Sequence, residues 1–428
     1  MSLSRRQLLV GTAVGVAGGA LGEAMAAPAR YASRTLPRPQ ASGIDHIVVV
    51  VMENRSFDHY LGWVPKADGR QAGLVYRDAH GRPHRTHRLR DGHGCGYHDP
   101  GHSYADGRVQ LNGGRCDGFR RGGNDDFALG YYTSQDLPFY GPLVSQATVL
   151  DRWFSAVLAP TVPNRNYTHA GRTDRMDNHG WVSTMPTIWD RLAAAGVPAT
   201  YYYKDVPYLA LWGDRYARVA QRFEVFLTQA ASGTLPQFSY VDPSFDGGSA
   251  LGACDDHPHS DIRRGQAFLS TVAQALVRSP LWPRTALVIT YDEWGGFFDH
   301  VRPPRHADEP PLHGRDRRQT GFRVPAFVLS PYAARGGVHH GVLDHASIVR
   351  FLSWRFGLRA LAPRDRAAGN LAWAFDFRRP DFGIPTLPVV PDPGPHRCAP
   401  PATVGGVDEE PFWLMLKEMA ARGAWRHL

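Results

Sequence analysis

At 428 residues, with 43% hydrophobic and 11% aromatic content, the sequence has the length and composition of a large folded α/β domain, which excludes an intrinsically disordered chain. The formal net charge of +8 comes from arginines scattered among acids; the only lysines are Lys66, Lys204 and Lys417, and no basic block marks a nucleic-acid-binding tail. Four unevenly spaced cysteines, Cys95, Cys116, Cys254 and Cys398, exclude a CxxC-type zinc site and suit an oxidising compartment, with one or two disulfides expected and Cys95 to Cys116 as the local pair.

Residues 1–26 read as a twin-arginine export signal: Arg5 and Arg6 precede a weakly apolar stretch at 10–21 and the small-residue site Ala24-Met25-Ala26. That stretch is Gly/Ala-rich and shorter than the roughly 20 residues of a bilayer span, so a membrane anchor is the weaker reading. Export by this route implies engagement of the twin-arginine translocation machinery and a secreted, periplasmic or envelope-associated protein. Residues 27–428 are then expected to form a single domain.

Residues 44–52 (IDHIVVVVM) form an unbroken Ile/Val run, the pattern of a parallel strand buried on both faces. The Gly-, His- and Arg-rich stretch 66–126 has neither helical nor strand period and is too long for an ordinary connection, so it reads as an insertion over the active site. Helical patterns cover 187–195, 261–278 and 344–356, the last with Asp344 as N-cap. Strand patterns recur at 237–241 (QFSYV), 286–291 (ALVITY) and 324–329 (VPAFVL), and strands alternating with helices predict an α/β fold with a mostly parallel sheet. Residues 380–401 are Pro-rich and read as a surface wrap, followed by a short helix at 410–421.

Reactive groups collect at the carboxyl edge of a parallel sheet, and two strands end there in acid-rich pairs. Glu53 and Asn54 follow the first strand, and Asp292 and Glu293 follow the strand at 286–291, giving oxygen donors that suit one hard or borderline divalent metal. Either pair alone could be a turn or a helix cap; both together favour a metal site. Thr161 stands between Pro160 and Pro163 in APTVPNR, either as a cap in a rigid Pro turn or as a nucleophile. A free threonine alkoxide is rare at neutral pH, each pKa unit costing about 1.4 kcal/mol, and a bound metal supplies that shift. Asp255-Asp256-His257-Pro258 offers a metal ligand, a phosphate donor or a general acid. His102 and His300 are weaker candidates among twenty histidines.

Taken in order, ENRSFDHY (53–60), PTVPNR (160–165), DDHP (255–258), YDEWGGFFDHV (291–301) and DHASIVRF (344–351) resemble the bacterial phosphoesterase family of phospholipases C and an acid phosphatase, a branch of the alkaline phosphatase superfamily. The resemblance spans about residues 44–360. It implies an alkaline-phosphatase-like, mostly parallel sheet sandwiched by helices. It also implies one divalent metal ion (Ca, Mg, Mn, Zn or Fe) held by Glu53, Asn54, Thr161, Asp292 and Glu293, with Thr161 as nucleophile of a phosphoenzyme. His102, Asp256 and His257 would surround the phosphoryl oxygens, Asn54 would also bind substrate, and His300 and His345 would contact substrate or support the site from behind.

Thr161, rather than serine, in the PTxPNR setting resembles the phospholipase side, so the expected substrate is a phospholipid diester with a phosphocholine-type head group. A broad-specificity acid phosphatase is the close alternative, and a non-catalytic secreted ligand-binding protein the alternative of another class. A sulfatase is excluded because no Cys or Ser stands where its formylglycine would form. Trp153, Tyr167, Trp181 and Trp294 are candidates for a cage around a quaternary ammonium, or for packing. The sequence ends too soon for the extra C-terminal β-domains common among these phospholipases, which counts against binding at a lipid interface; peripheral membrane contact is the most that is expected.

Overall fold

The computed structural model describes residues 35–245, 252–395 and 410–427; the export signal at 1–26, Cys398 and the end of the Pro-rich stretch lie outside the described residues. Eight strands build one sheet: β1 (His46–Met52), β2 (Thr148–Leu150), β3 (Ala199–Tyr203), β4 (Ala220–Arg222), β5 (Phe238–Asp242), β6 (Thr285–Tyr291), β7 (Ala326–Leu329) and β8 (Gly337–His339). Their spatial order is β8-β2-β7-β6-β1-β5-β3-β4. The five neighbours from β6 to β4 run parallel, so their carboxyl ends share one edge. β1 is buried from Ile47 onward and β6 throughout, as the Ile/Val runs require. The run at 324–329 is a correction: β7 is antiparallel to both β6 and β2.

Helices flank this sheet: α1 (Phe57–Leu61), α2 (Tyr104–Leu111), α3 (Thr161–Ala170), α4 (Ile188–Ala194), α5 (Phe223–Ser232), α6 (Ile262–Val277), α7 (Ala346–Phe356) and α8 (Glu410–Arg422). α3 packs on α7 and α5 on α6. Thr187 caps α4 in a reciprocal box with Asp190, and Asp261 caps α6 through the Arg263 N–H. The N-cap of α7 is His345, not Asp344, although the Asp344 carboxylate accepts the Ala346 N–H at 2.9 Å.

The stretch 66–126 holds short structure that its composition hid: a hairpin of Val75–Arg77 with Pro83–Arg85, and α2, whose N-cap Ser103 forms a capping box with Asp106. Residues 387–392 lie extended along α6, held by Ser270 to the Pro388 carbonyl at 2.8 Å and by Arg264 to Asp392 at 3.1 Å. α8 packs on the Tyr208–Val219 segment and stacks Trp413 on Phe245 with ring centroids 3.8 Å apart. No helix among the described residues is long and apolar enough to cross a membrane. Cys116 and Cys254 are buried free thiols, which overturns the Cys95–Cys116 bridge: closeness along the chain does not bring two sulfurs into bonding position.

Candidate active site

Glu53 and Asn54 leave β1, Asp292 and Glu293 leave β6, and Asp242 ends β5; all five are essentially inaccessible to solvent. Asn54 adopts a left-handed backbone (φ 58°), which asparagine tolerates better than most residues. This turn brings its N–H to Asp292 Oδ1 at 3.1 Å.

Between the acids lies a group the sequence reading passed over. The guanidinium of Arg165 donates to Asp292 Oδ2 at 3.0 Å and Asp242 Oδ1 at 3.2 Å, and its Nη2 is 3.4 Å from Glu53 Oε1. Phe245 and Trp413 face the same guanidinium at 4.8 and 5.8 Å. Burial disfavours this cation, but Asp292, Glu53 and Asp242 outweigh it and hold its proton more firmly than usual. For Asp242 burial wins over Arg165, and its carboxyl is pushed up to about 6.

Thr161 is the first residue of α3, with Pro160 as N-cap; Pro163 falls in the first turn, where its missing N–H costs no helical bond. Asn164 accepts the Val157 N–H at 3.0 Å and donates to the Ala159 and Pro160 carbonyls at 2.6 and 3.1 Å, fixing the chain on the approach to Thr161. The two prolines therefore bracket a helix start rather than a turn. The Thr161 hydroxyl donates to Asn54 Oδ1 at 3.4 Å and stands at the positive end of the helix, which favours a bound anion.

His102 comes from the stretch 66–126, placed by the Asn124 side chain on the Gly101 N–H at 2.8 Å and by the cap of α2. Its Nδ1–H donates to the Pro100 carbonyl at 2.8 Å, so Nε2 carries the lone pair, 3.3 Å from the Asn54 amide nitrogen and 3.9 Å from Glu293 Oε1. His257 lies with its ring 6.0 Å from that of His102 and its Nε2 3.9 Å from Asp99, a residue the sequence gave no reason to single out. Asp255 holds this loop, its carboxylate accepting the His257 N–H at 2.9 Å and its carbonyl accepting the Glu53 N–H at 2.8 Å.

Three predicted residues have other surroundings. Asp256 accepts the Tyr291 phenol at 2.5 Å, and its second oxygen is buried without a partner. His300 sits between Asp58 at 2.5 Å and Asp68 at 3.2 Å, in a cluster where Arg323 bonds both Asp58 and Asp299. It ties α1 to the chain after β6 and offers nothing to Thr161. His345 uses both ring nitrogens, accepting from the Trp153 indole and donating to the Asp292 carbonyl. It supports the Asp292 end of β6 from behind with both nitrogens engaged, and burial brings its pKa down to about 4. The aromatic cage is also corrected: Trp153 is bonded to His345, Tyr167 to Asp308 and Trp294 to Gln110, all three buried, while Trp181 is half exposed.

The donor set fits a divalent cation. Glu53, Asp242 and Asp292 surround a single buried guanidinium and Glu293 is buried beside His102, an excess of acid that a bound cation would offset, and Asn54 Oδ1 and the Thr161 hydroxyl add neutral oxygens. The tightest groups of His, Asp and Glu among the described residues are Asp99 with His102 and His257, and Asp58 with Asp299 and His300. The strand-end carboxylates are not in either group; Glu53, Asp242 and Asp292 each meet Arg165 instead.

Burial pushes the Asp256 carboxyl up to about 7, against about 3.9 in an unfolded chain. A raised folded pKa contributes stability that is complete below about pH 4 and is lost as pH rises through 7. Asp256→Asn removes this loss while keeping an acceptor for Tyr291. The variant is therefore expected to gain at least about 1.4 kcal/mol on the wild type at pH 8 compared with pH 4, one pKa unit's worth. Paired chemical denaturation curves at the two pH values check this; an equal difference at both contradicts it.

A model of the family described as the phosphoesterase family matches residues 44–359. The chain is 31% identical over 385 residues to non-specific phospholipase C1 of Arabidopsis thaliana, covering 78% of this chain and 71% of that protein. It is 28% identical over 449 residues to phospholipase C B of Mycobacterium tuberculosis, covering 85% and 84%. Among solved structures, a Vibrio parahaemolyticus protein described as in the alkaline phosphatase superfamily aligns at TM-score 0.42 and 10% identity over 78% of this chain and 71% of that one. The match over 44–359 takes in all five motifs and the whole carboxyl edge: the chain belongs to the phosphoesterase family and is a phosphoric ester hydrolase.

Proposed function

We propose that this protein is an exported, metal-dependent, phospholipase C-like diesterase that works through a covalent intermediate on Thr161. The observation that carries this reading is the Thr161 hydroxyl at the N-terminus of α3, 3.4 Å from Asn54 and beside the strand-end acids. Diester preference is supported by the phospholipase C names of both plant and bacterial relatives. Export rests on the twin-arginine pattern at 1–26.

Held by Glu53, Asn54, Thr161, Asp292 and Glu293, one divalent cation would lower the pKa of the threonine hydroxyl and offset phosphoryl charge. Thr161, its hydroxyl proton lost to solvent, attacks phosphorus in line through Oγ while the bond to the alcohol oxygen breaks. His257, its Nε2 3.9 Å from Asp99, gives a proton to the departing oxygen. The Asn54 amide, 3.3 Å from His102 Nε2, faces the phosphoryl oxygens, and Arg165 keeps Asp292 and Glu53 in position. Water then releases the phosphorylated head group and restores the hydroxyl.

The purified mature protein is expected to turn over p-nitrophenylphosphorylcholine faster than p-nitrophenyl phosphate, and a chelator to lower the rate at least about tenfold until a divalent metal is restored. Preference for the monoester contradicts the diesterase assignment. Chelator-resistant turnover contradicts the metal.

A further inference from the structure

The chain between α3 and α4 folds back over the nucleophile. Asn178 accepts the N–H of Val162, the residue after Thr161, at 2.9 Å. The tip of this loop, just beyond Asn178, carries two large apolar side chains in solvent, Trp181 at 48% and Val182 at 51% exposure. Gly180 packs directly against Met415 of α8, and the residue before it, Leu414, is 45% exposed. Single exposed apolar residues are ordinary, but here two of the eight large ones among the described residues are consecutive, and a third, Leu414, adjoins the residue that packs on Gly180.

The loop is built to hold that tip out. Arg175, itself buried, donates to the His179 carbonyl at 3.1 Å and the Trp181 carbonyl at 3.0 Å, and its guanidinium lies 4.3 Å from the centre of the indole. Asp174 clamps Arg175 at 2.7 Å and Ser183 at 2.8 Å. At the feet of the loop stand two partly exposed arginines, Arg315 beside Asp177 and Arg215 beside Asp190. With a guanidinium already against its ring, Trp181 is a poor wall for a choline cage. An indole with an apolar body and an N–H that meets no protein group among the described residues suits the head-group layer of a bilayer, where arginines meet phosphates.

We infer that the 179–182 loop tip and Leu414 form the surface by which this domain seats on a phospholipid bilayer, bringing the buried Thr161 centre to lipid head groups. The inference rests on the proposed lipid diester substrate, but it is tested by binding rather than turnover. Trp181→Ser/Val182→Ser is placed in the full mature chain that also carries Thr161→Ala, and cosedimentation with phosphatidylcholine vesicles containing phosphatidylglycerol is compared with that of Thr161→Ala alone. The loop variant is expected to bind at least about tenfold more weakly. With Thr161 intact, the same loop variant is expected to keep its turnover of soluble p-nitrophenylphosphorylcholine within about twofold, because the tip touches no reacting group.

Equal vesicle binding by the two proteins, or no binding by Thr161→Ala alone, overturns the inference. A loop variant that dissociates a dimer in the absence of lipid overturns it in favour of a second copy of the chain. A raised KM for the soluble choline diester overturns it in favour of a head-group pocket. If the protein binds vesicles through this loop but hydrolyses no diester, the surface stands and the proposed function fails.

Discussion

Replacing Thr161 with alanine is expected to lower phosphodiester turnover at least about a thousandfold, because no neighbouring hydroxyl can form the bond to phosphorus. The fold should tolerate the change. Thr161 is buried at the start of a ten-residue helix whose approach is fixed by Asn164, and the loss of one hydroxyl and one methyl from such a site costs about 1–2 kcal/mol. Thr161→Ser keeps a hydroxyl at the helix N-terminus and is expected to retain measurable turnover. Rates for the three proteins, read beside their melting temperatures, check this; an active alanine variant contradicts the assignment of the nucleophile.

Arg165→Ala is expected to have the larger effect on stability. The wild-type guanidinium is the only cation bonded to both Asp292 and Asp242 among the described contacts, and it also approaches Glu53. Its removal leaves buried acids facing one another, a change that costs about 3–5 kcal/mol when one partner of a buried ion pair is lost. Added divalent cation should recover part of the loss, because the same carboxylates then bind it more tightly. Arg165→Lys keeps the charge but not the planar fork that reaches both aspartates, and is expected to fold yet lose at least about tenfold in rate. Thermal melts with and without metal check both variants; a wild-type melting temperature for Arg165→Ala contradicts the electrostatic account.

The parts of the fold that were legible in the sequence are those where burial dictates composition. β1 and β6 are covered on both faces, so they must be apolar throughout, and the acids that follow them had to lie at the carboxyl edge. β3 (ATYYY) and β4 (AQR) lie at the side of the sheet and carry aromatic or polar residues, which leaves no Ile/Val run to notice. Two prolines disguised the start of α3, because the rule that proline breaks helices does not apply to the first turn.

The site divides in the same way. Strand-end residues such as Glu53 and Asp292 follow from topology, whereas Arg165 and Asp99 become visible only when distant segments meet. The signal for Arg165 was present, since it closes the PTVPNR motif, but an arginine in a helix usually faces solvent. Asp242 could have been found by extending the strand-end rule to β5. Three motif residues have partners that the motifs do not announce: the side chains of Asp256, His300 and His345 bond to Tyr291, to Asp58 and Asp68, and to Trp153 and the Asp292 carbonyl.

Thr161 is expected to carry the phosphoryl group during turnover. Acid-quenching the metal-loaded protein during hydrolysis of p-nitrophenylphosphorylcholine and sequencing its peptides by mass spectrometry tests it directly. The expected result is a phosphorylcholine group on Thr161 that is absent from the Thr161→Ala variant. A modified residue elsewhere, or turnover with an unmodified Thr161 under conditions that trap the intermediate, would contradict it.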